Sequence, residues 1–211
     1  MQKIVDGVLK FKADVFPDHA DLFSELSSGQ SPEVLMVTCA DSRIDPAMIT
    51  QSLPGDLFMC RNAGNIVPPY SSSAEGNTAS IEYAIAALGI QHIVVCGHTD
   101  CGAMKGALNP DALTALPHVC GWLENSKAAV DDAKAKHPDA DDKELLSAVI
   151  EQNVLLQLAH LKTHPYVAEA LEAGKLQLHG WVYDIGSGAI YSHNEDSGAF
   201  EPLTAVHDSV A

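Results

Sequence analysis

The stretch "NTASIEYAIAALGIQHIVVC", residues 77 to 96, decides the fold class. It opens with a residue that can cap a helix, places Ala and Ile at helical positions and reaches Gly89, which predicts a helix over residues 77–89. Its last part, "IQHIVVC" at residues 90–96, is a short apolar run rich in β-branched side chains and predicts a buried strand. A helix followed at once by a buried strand is typical of a βαβ unit.

Two more short apolar runs lie upstream of this unit, and both predict buried strands. One is "EVLMVTC", residues 33–39, which is bounded by Pro32 and by a polar segment; the other is "DLFMCRN", residues 56–62. Strands that alternate with helices in this way form a mostly parallel sheet with helices on its faces. The sequence therefore predicts an α/β fold.

Helical periodicity also marks the start of the chain and the region after the third strand. Apolar residues at helical spacing from Ile4 to Val15 predict an amphipathic helix that ends near Pro17. Because this helix precedes every strand, it needs another surface to pack on. Further helices are predicted around residues 121–135, 142–162 and 166–173, followed by a hairpin over residues 176–193.

Length and charge bound the domain count and the partners. The 211 residues suit one compact domain, residues 1–211, with an N-terminal helical arm of about residues 1–16. The net charge of −16 repels phosphate backbones and anionic headgroups, so we expect neither a nucleic-acid nor a membrane partner. With no signal-peptide pattern and no apolar run near the roughly 18 residues that span a bilayer, we expect a soluble, cytoplasmic protein. The acidic residues between 131 and 142 are expected on a solvated surface.

A possible metal site follows from where the polar residues stand relative to the strands. Cys39 closes the first predicted strand, and His98 and Cys101 follow the third. In open α/β sheets, ligands gather beyond the carboxyl ends of the strands, so these three side chains are expected to converge. Two thiolates and one imidazole form a catalytic zinc set that leaves the fourth position open. The remaining cysteines are interpreted as small buried core residues with nothing polar around them: Cys60, Cys96 and Cys120.

The segment "CADSR", residues 39–43, places a carboxylate and a guanidinium beside the first candidate ligand. Asp41 and Arg43 face the same side as Cys39 if the backbone stays extended. A buried Asp41 without a partner is costly, and Arg43 is shaped to hold it by two parallel hydrogen bonds. A surface ion pair is the alternative, but the flanking apolar runs argue against exposure.

Three motifs together resemble the β-class carbonic anhydrases, particularly their bacterial and plant-like branch. They are Cys39-x-Asp41-x-Arg43, "RNAGNIVPPY" at residues 61–70, and Cys96-Gly97-His98-x-x-Cys101-Gly102. The resemblance begins at "GQSP", residues 29–32, and recurs in "LHGWVYDI" near the C-terminus, so it spans nearly the whole chain. It implies zinc-dependent, reversible hydration of carbon dioxide to bicarbonate and a proton, by hydroxide bound to zinc.

The resemblance also implies residue roles. One zinc per chain is held by Cys39, His98 and Cys101, and Asp41 with Arg43 forms the catalytic dyad beside it. The substrate-binding residues match Gln30, whose amide hydrogen-bonds the substrate, and Phe58 and Tyr83, aromatics that are often donated across a dimer interface. From the residues alone, aromatic side chains such as Phe58 and Tyr83 are more often plain core residues. Gly102, at a predicted helix start, offers a backbone N–H to a substrate oxygen.

The same resemblance implies a homodimer with a continuous sheet, in which the N-terminal helix embraces the neighbouring subunit. Dimers of this family pair into tetramers or larger assemblies, and the sequence does not decide between them. Two thiolates make the protein-bound Zn²⁺ formally neutral. The pKa of its bound water is therefore expected to lie above the value of about 7 that a three-histidine site gives.

Two other classes of protein are alternatives to a carbonic anhydrase. A nucleobase deaminase requires the H-x-E and P-C-x-x-C arrangement, which this chain lacks. The alternative that stays open is a non-catalytic, zinc-containing scaffold or binding protein of the same fold.

Overall fold

The computed structural model describes residues 1–71 and 75–204. The chain divides into two compact units, Met1–Ser31 and Pro32–Ala211. Each unit is described by itself.

The first unit is entirely helical. Its elements are α1 (Gln2–Lys10), a π-helical turn (Phe11–Val15), a 3-10 turn (Pro17–His19) and α2 (Ala20–Leu26). The predicted N-terminal helix is confirmed, and it ends at Val15, close to Pro17 as expected. Pro17 begins the separate 3-10 turn at a position where no backbone N–H is needed, and His19 leaves the helical conformation before α2, a helix that was not predicted. The rings of Phe16 and Phe23 stack with their centroids 5.0 Å apart.

The second unit contains a six-stranded sheet, which confirms the predicted fold class. Its strands are β1 (Val34–Cys39), β2 (Leu57–Asn62), β3 (His92–His98), β4 (Gln177–Tyr183), β5 (Ile190–Asn194) and β6 (Ala199–Pro202). The spatial order is β2-β1-β3-β4-β5-β6. The first four strands pair in parallel and the last two are antiparallel. The predicted hairpin is β4 with β5, and β6 was not anticipated.

Helices cover the sheet and connect its strands. They are α3 (Pro46–Thr50), α4 (Gly76–Glu82), α5 (Gly102–Leu108), α6 (Pro117–Leu123), α7 (Lys127–Lys136), α8 (Asp142–Leu161) and α9 (Pro165–Glu172). The helix predicted over residues 77–89 is α4 continued by a π-helical turn, Tyr83–Ala87. The helix predicted around 121–135 is divided into α6 and α7 by a 3-10 turn, Glu124–Ser126. No helix among the described residues is long and apolar enough to cross a bilayer.

Helix α8 is the central element of the core. It begins with a capping box, in which the Asp141 carboxylate accepts from the backbone of Glu144 and the Glu144 side chain accepts from the backbone of Asp141. Val154 of α8 packs directly on the strands, because Gly97 and Gly180 leave room for it. A Cβ at either glycine would lie 3.0 Å from a Val154 methyl group.

The acidic residues between 131 and 142 are exposed as expected. Asp131 and Asp132 each pair with a lysine one turn away on α7.

Candidate metal centre

The three predicted metal ligands converge at the carboxyl edge of the sheet. Cys39 is the last residue of β1, His98 is the last residue of β3, and Cys101 stands immediately before α5. His98 therefore ends the third strand rather than following it. The ligand atoms of the three side chains all lie within 4.8 Å of one another, and all three residues are buried. The parallel pairing of β1 with β3 is what brings them together.

The imidazole of His98 is prepared for a ligand at Nε2. Its Nδ1 lies 2.9 Å from the carbonyl oxygen of Thr99, and because a carbonyl only accepts, Nδ1 must carry the hydrogen. Nε2 is then an unprotonated acceptor, and among the described residues this buried atom has no hydrogen-bond partner. A neutral imidazole oriented through its other nitrogen is the usual form of a metal-binding histidine.

The two thiols form a coupled pair. The contact with Cys101, together with the hydrogen bond from the backbone N–H of Gly64, lowers the pKa of Cys39 against the opposing effect of burial. The same contact with Cys39, reinforced by burial, raises the pKa of Cys101. Ionisation of Cys39 alone is therefore favoured, whereas ionisation of both thiols requires a cation between the two sulfur atoms.

Asp41 and Arg43 form the predicted bidentate pair. The guanidinium donates from Nη2 to Asp41 Oδ2 at 2.8 Å and from Nε to Oδ1 at 3.0 Å, and the Arg43 backbone N–H donates to Oδ1 at 2.9 Å. These hydrogen bonds hold the pKa of the Asp41 carboxyl well below its usual range. The expectation of burial is only partly right, because the side chain of Asp41 is 17% exposed and that of Arg43 is 44% exposed. The guanidinium reaches the carboxylate from the solvent side.

A second carboxylate, which the sequence analysis missed, also holds Arg43. Asp100 accepts from Arg43 Nη1 at 2.9 Å through its Oδ2 and from Nη2 at 3.2 Å through its backbone oxygen, and it also pairs with Lys105. Asp100 has a positive φ of 59°. Its position inside His98-x-x-Cys101 was the available signal, since a charged residue between two candidate ligands has to face either the metal or a partner.

Arg61 was also missed, although it opens the quoted motif "RNAGNIVPPY". It donates to the backbone oxygens of Cys39 at 3.1 Å, Asp41 at 2.9 Å and Ile44 at 3.0 Å. These bonds fix the segment that leaves β1, so they hold the first ligand and the dyad in register with each other.

Comparison with known proteins identifies the family. The family model described as carbonic anhydrase matches residues 34–190. The solved structure titled "The structure of the beta-carbonic anhydrase CcaA" superposes with a TM-score of 0.94 at 42% identity, covering 96% of this chain and 99% of that chain.

The chain belongs to the β-class carbonic anhydrase family.

Curated relatives agree over nearly their full length. A carbonic anhydrase of Pseudomonas aeruginosa is 48% identical over 210 residues, covering 100% of this chain and 94% of the relative. Carbonic anhydrase 1 of Escherichia coli O157:H7 is 45% identical over 207 residues, covering 97% of this chain and 93% of the relative. β-Class carbonic anhydrases use zinc, and the donor set of Cys39, His98 and Cys101 is one that binds zinc.

The other residues that the resemblance to β-class carbonic anhydrases singled out are distributed over both units. Phe58 of β2 and Tyr83 lie together, with ring centroids 6.1 Å apart; Phe58 packs partly against the core and Tyr83 is half-exposed. Gly102 is the first residue of α5, as predicted, and a Cβ there would meet no atom within 4 Å. Gln30 is exposed at the end of the first unit.

The three remaining cysteines of this family member differ from one another. Cys96 is buried as predicted, and burial raises its pKa to about 12. Cys60 is buried too, but the expectation of an apolar environment is wrong, because its Sγ donates to Asn77 Oδ1 at 2.9 Å. Cys120 is only partly buried, so it is not the core residue that was expected.

Proposed function

We propose that the protein catalyses the reversible hydration of carbon dioxide to bicarbonate and a proton at the centre formed by Cys39, His98 and Cys101. The observation that carries the proposal is the buried Nε2 of His98, which has no hydrogen-bond partner in the described part of the chain. This atom lies within 4.8 Å of two cysteine sulfurs and 3.9 Å from the Asp41 carboxylate. The relatives named carbonic anhydrase support the reaction.

The three donors would hold one zinc ion per chain. When bound, zinc supplies the nucleophile, because it lowers the pKa of a water molecule into the physiological range. The chain contributes two thiolates and one neutral imidazole, which together offset the double charge of the ion. The hydrogen bond from His98 Nδ1 to Thr99 keeps Nε2 directed at the ion.

Asp41 orients the nucleophile. Its Oδ2 borders the donor cluster and, being ionised, accepts a hydrogen bond there while an oxygen lone pair of the water or hydroxide turns toward the substrate. Arg43 keeps the carboxylate ionised and occupied, which prevents it from becoming a fourth ligand itself. Asp100 anchors Arg43 from the opposite side.

The remaining residues bind the substrate. Carbon dioxide is small and uncharged, so an apolar wall from Phe58 and Tyr83 suits it, and the backbone N–H of Gly102 and the amide of Gln30 offer donors to the oxygens of bicarbonate. The open space at Gly102 supports its assignment.

The assembly we propose is a homodimer, alone or paired into a tetramer, in which 1–211 is one domain and about residues 1–16 form an arm. Within the described chain, β2 is an edge strand whose outer side lacks a partner strand. The arm exposes large apolar side chains, among them Ile4 and Val8 at 62% and 61% exposure. One related pair of structures is titled as tetrameric β-carbonic anhydrases from Sordaria macrospora; it matches with a TM-score of 0.78 at 31% identity, covering 90% of this chain and 95% of that chain. A cytoplasmic location is supported by the five cysteines, all of which are free thiols.

Exchange of oxygen-18 between carbon dioxide and water tests the proposed activity. The zinc-loaded protein should accelerate the exchange, and the Cys101→Ser protein should not. A zinc-loaded, folded protein without exchange activity would instead establish the non-catalytic scaffold.

A further inference from the structure

A tight turn beside the metal centre, residues 62–66, is held in an unusual conformation. The Asn62 side chain closes it by accepting from Ile66 N at 2.7 Å and donating to Ile66 O at 2.9 Å. Gly64 and Asn65 both have positive φ, 84° and 48°. A Cβ at Gly64 would lie 3.1 Å from Ala103 Cβ and 2.9 Å from Met104 Cε, so the close approach to α5 and the positive φ together favour glycine at this position.

One peptide of this turn faces the metal centre. The backbone N–H of Gly64 donates to Cys39 Sγ at 3.3 Å, and the carbonyl of the same peptide, Ala63 O, accepts from Trp122 Nε1 at 2.8 Å. The described residues contain no cis peptide, so the N–H and C=O of this peptide point in opposite directions. The indole of Trp122 therefore fixes the direction in which the N–H points.

The next peptide is held independently from α8. Asn153 Nδ2 donates to Gly64 O at 3.0 Å, and Asn153 Oδ1 accepts from Ser126 at 2.8 Å and from Gln157 at 2.8 Å. Asn153 and Ser126 are fully buried, so this anchor is rigid. By contrast, Asn65 Nδ2 is buried without a partner among residues 1–71 and 75–204. A turn that keeps two left-handed residues and an unsatisfied amide is expected where function requires its shape.

We propose that Trp122 is a positioning residue for the metal centre: through the Ala63–Gly64 peptide it directs an N–H···S hydrogen bond onto the Cys39 thiolate. The inference rests on the proposed function, because it requires Cys39 to be a metal ligand. The hydrogen bond stabilises the ionised sulfur and withdraws electron density from it. An ion bound to this sulfur therefore keeps more of its positive charge than a thiolate without the hydrogen bond would leave it.

The test replaces the indole N–H of Trp122 by a sulfur atom, which cannot donate a hydrogen bond. Trp122 and Trp181 are the two tryptophans of the chain. In Trp181→Phe protein, expression in a tryptophan auxotroph supplied with β-(3-benzothienyl)alanine replaces only the ring N–H of residue 122 by sulfur. The matched control is Trp181→Phe with ordinary tryptophan; Trp181 packs against a separate cluster, Met36, Val94 and Cys96.

The readouts are cobalt(II) spectra and zinc affinity. With Co²⁺ as the probe, the sulfur-to-cobalt charge-transfer band should move to lower energy when the N–H is lost, because the sulfur becomes more electron-rich. Zinc affinity, measured by competition with a chromogenic chelator, should fall by about tenfold. A folded replacement protein with the band and the affinity of the control would overturn the proposal.

A measurement on the unaltered protein provides an independent check. In protein loaded with ¹¹³Cd²⁺, the Gly64 amide proton should show scalar coupling to the metal across the N–H···S bond. Absence of that coupling in a protein that binds cadmium through sulfur would also overturn the proposal. Failure of the proposed function is distinguishable: without the metal centre the unaltered protein would show no sulfur-to-cobalt band, and without catalysis it would keep the band but not accelerate oxygen-18 exchange.

Discussion

Arg43 holds Asp41 through three hydrogen bonds, two from its guanidinium and one from its own backbone N–H. The carboxylate is thereby turned toward Arg43, yet its Oδ2 still lies 3.9 Å from His98 Nε2. Arg43 is itself shared with Asp100. The dyad therefore keeps a carboxylate beside the metal centre without letting it occupy the centre.

Replacement of Arg43 by alanine should release Asp41 toward the metal. We expect carbon dioxide hydration at pH 7 to fall by about 100-fold or more, with zinc content unchanged, because the orientation of the nucleophile is lost while the ligands remain. Stopped-flow hydration assays and metal analysis measure both quantities. Arg43→Lys keeps the positive charge but not the planar guanidinium, so its hydration activity should lie between those of the unaltered protein and Arg43→Ala. Near-normal turnover in Arg43→Ala would show that the dyad has no such role.

Replacement of Cys60 by alanine should destabilise the fold and spare the metal. It removes a buried sulfur and its hydrogen bond to Asn77, which we expect to cost about 1–2 kcal/mol of unfolding free energy. Urea denaturation measures that loss, and zinc analysis should still give one ion per chain. Large loss of zinc in this variant would mean that Cys60 is a metal ligand and that the proposed assignment of the thiols is wrong.

The ionised carboxylate of Glu151, on α8, should lower the free energy of unfolding at neutral pH. Burial raises the pKa of its carboxyl, against a smaller opposing effect of His137. The folded state therefore prefers the protonated form, so the cost in stability is complete above the folded pKa, decreases as the pH falls toward the unfolded pKa, and is absent below it. Glu151→Gln should raise Tm at pH 7 to 8 and leave it unchanged near pH 4. The exposed Glu169→Gln is the control, and equal shifts in both variants would refute the assignment.

Deletion of residues 1–15 should weaken the assembly. The deleted segment carries most of the exposed apolar side chains of the first unit and no metal ligand. We expect sedimentation velocity to show a smaller species, with lower hydration activity and unchanged zinc content. A monomer with full activity at the assay concentration would rule out the proposed arm.

Several features were predictable because they depend on local pattern. Cys39 and His98 stand where two apolar strands end, Cys101 follows three residues after His98, and the parallel pairing of the strands brings these positions together. Asp41 with Arg43 was predictable from their spacing along one short segment.

The features that were missed depend on contacts between distant segments. Trp122 reaches Ala63 across 59 positions and Asn153 reaches Gly64 across 89, and neither carries a sequence signal that names its partner. The polar contact of Cys60 depends on Asn77 of α4, which no strand pattern reveals.

Zinc-edge X-ray absorption on the purified protein tests the central claim most directly. Coordination by Cys39, His98 and Cys101 predicts two sulfur atoms at about 2.3 Å, one imidazole nitrogen at about 2.0–2.1 Å and one further light atom. The Cys39→Ser and Cys101→Ser proteins should each lose most of the bound zinc, and the zinc that remains should have one sulfur neighbour instead of two. A spectrum of the unaltered protein without sulfur, or a variant that keeps both sulfur neighbours, would contradict the account.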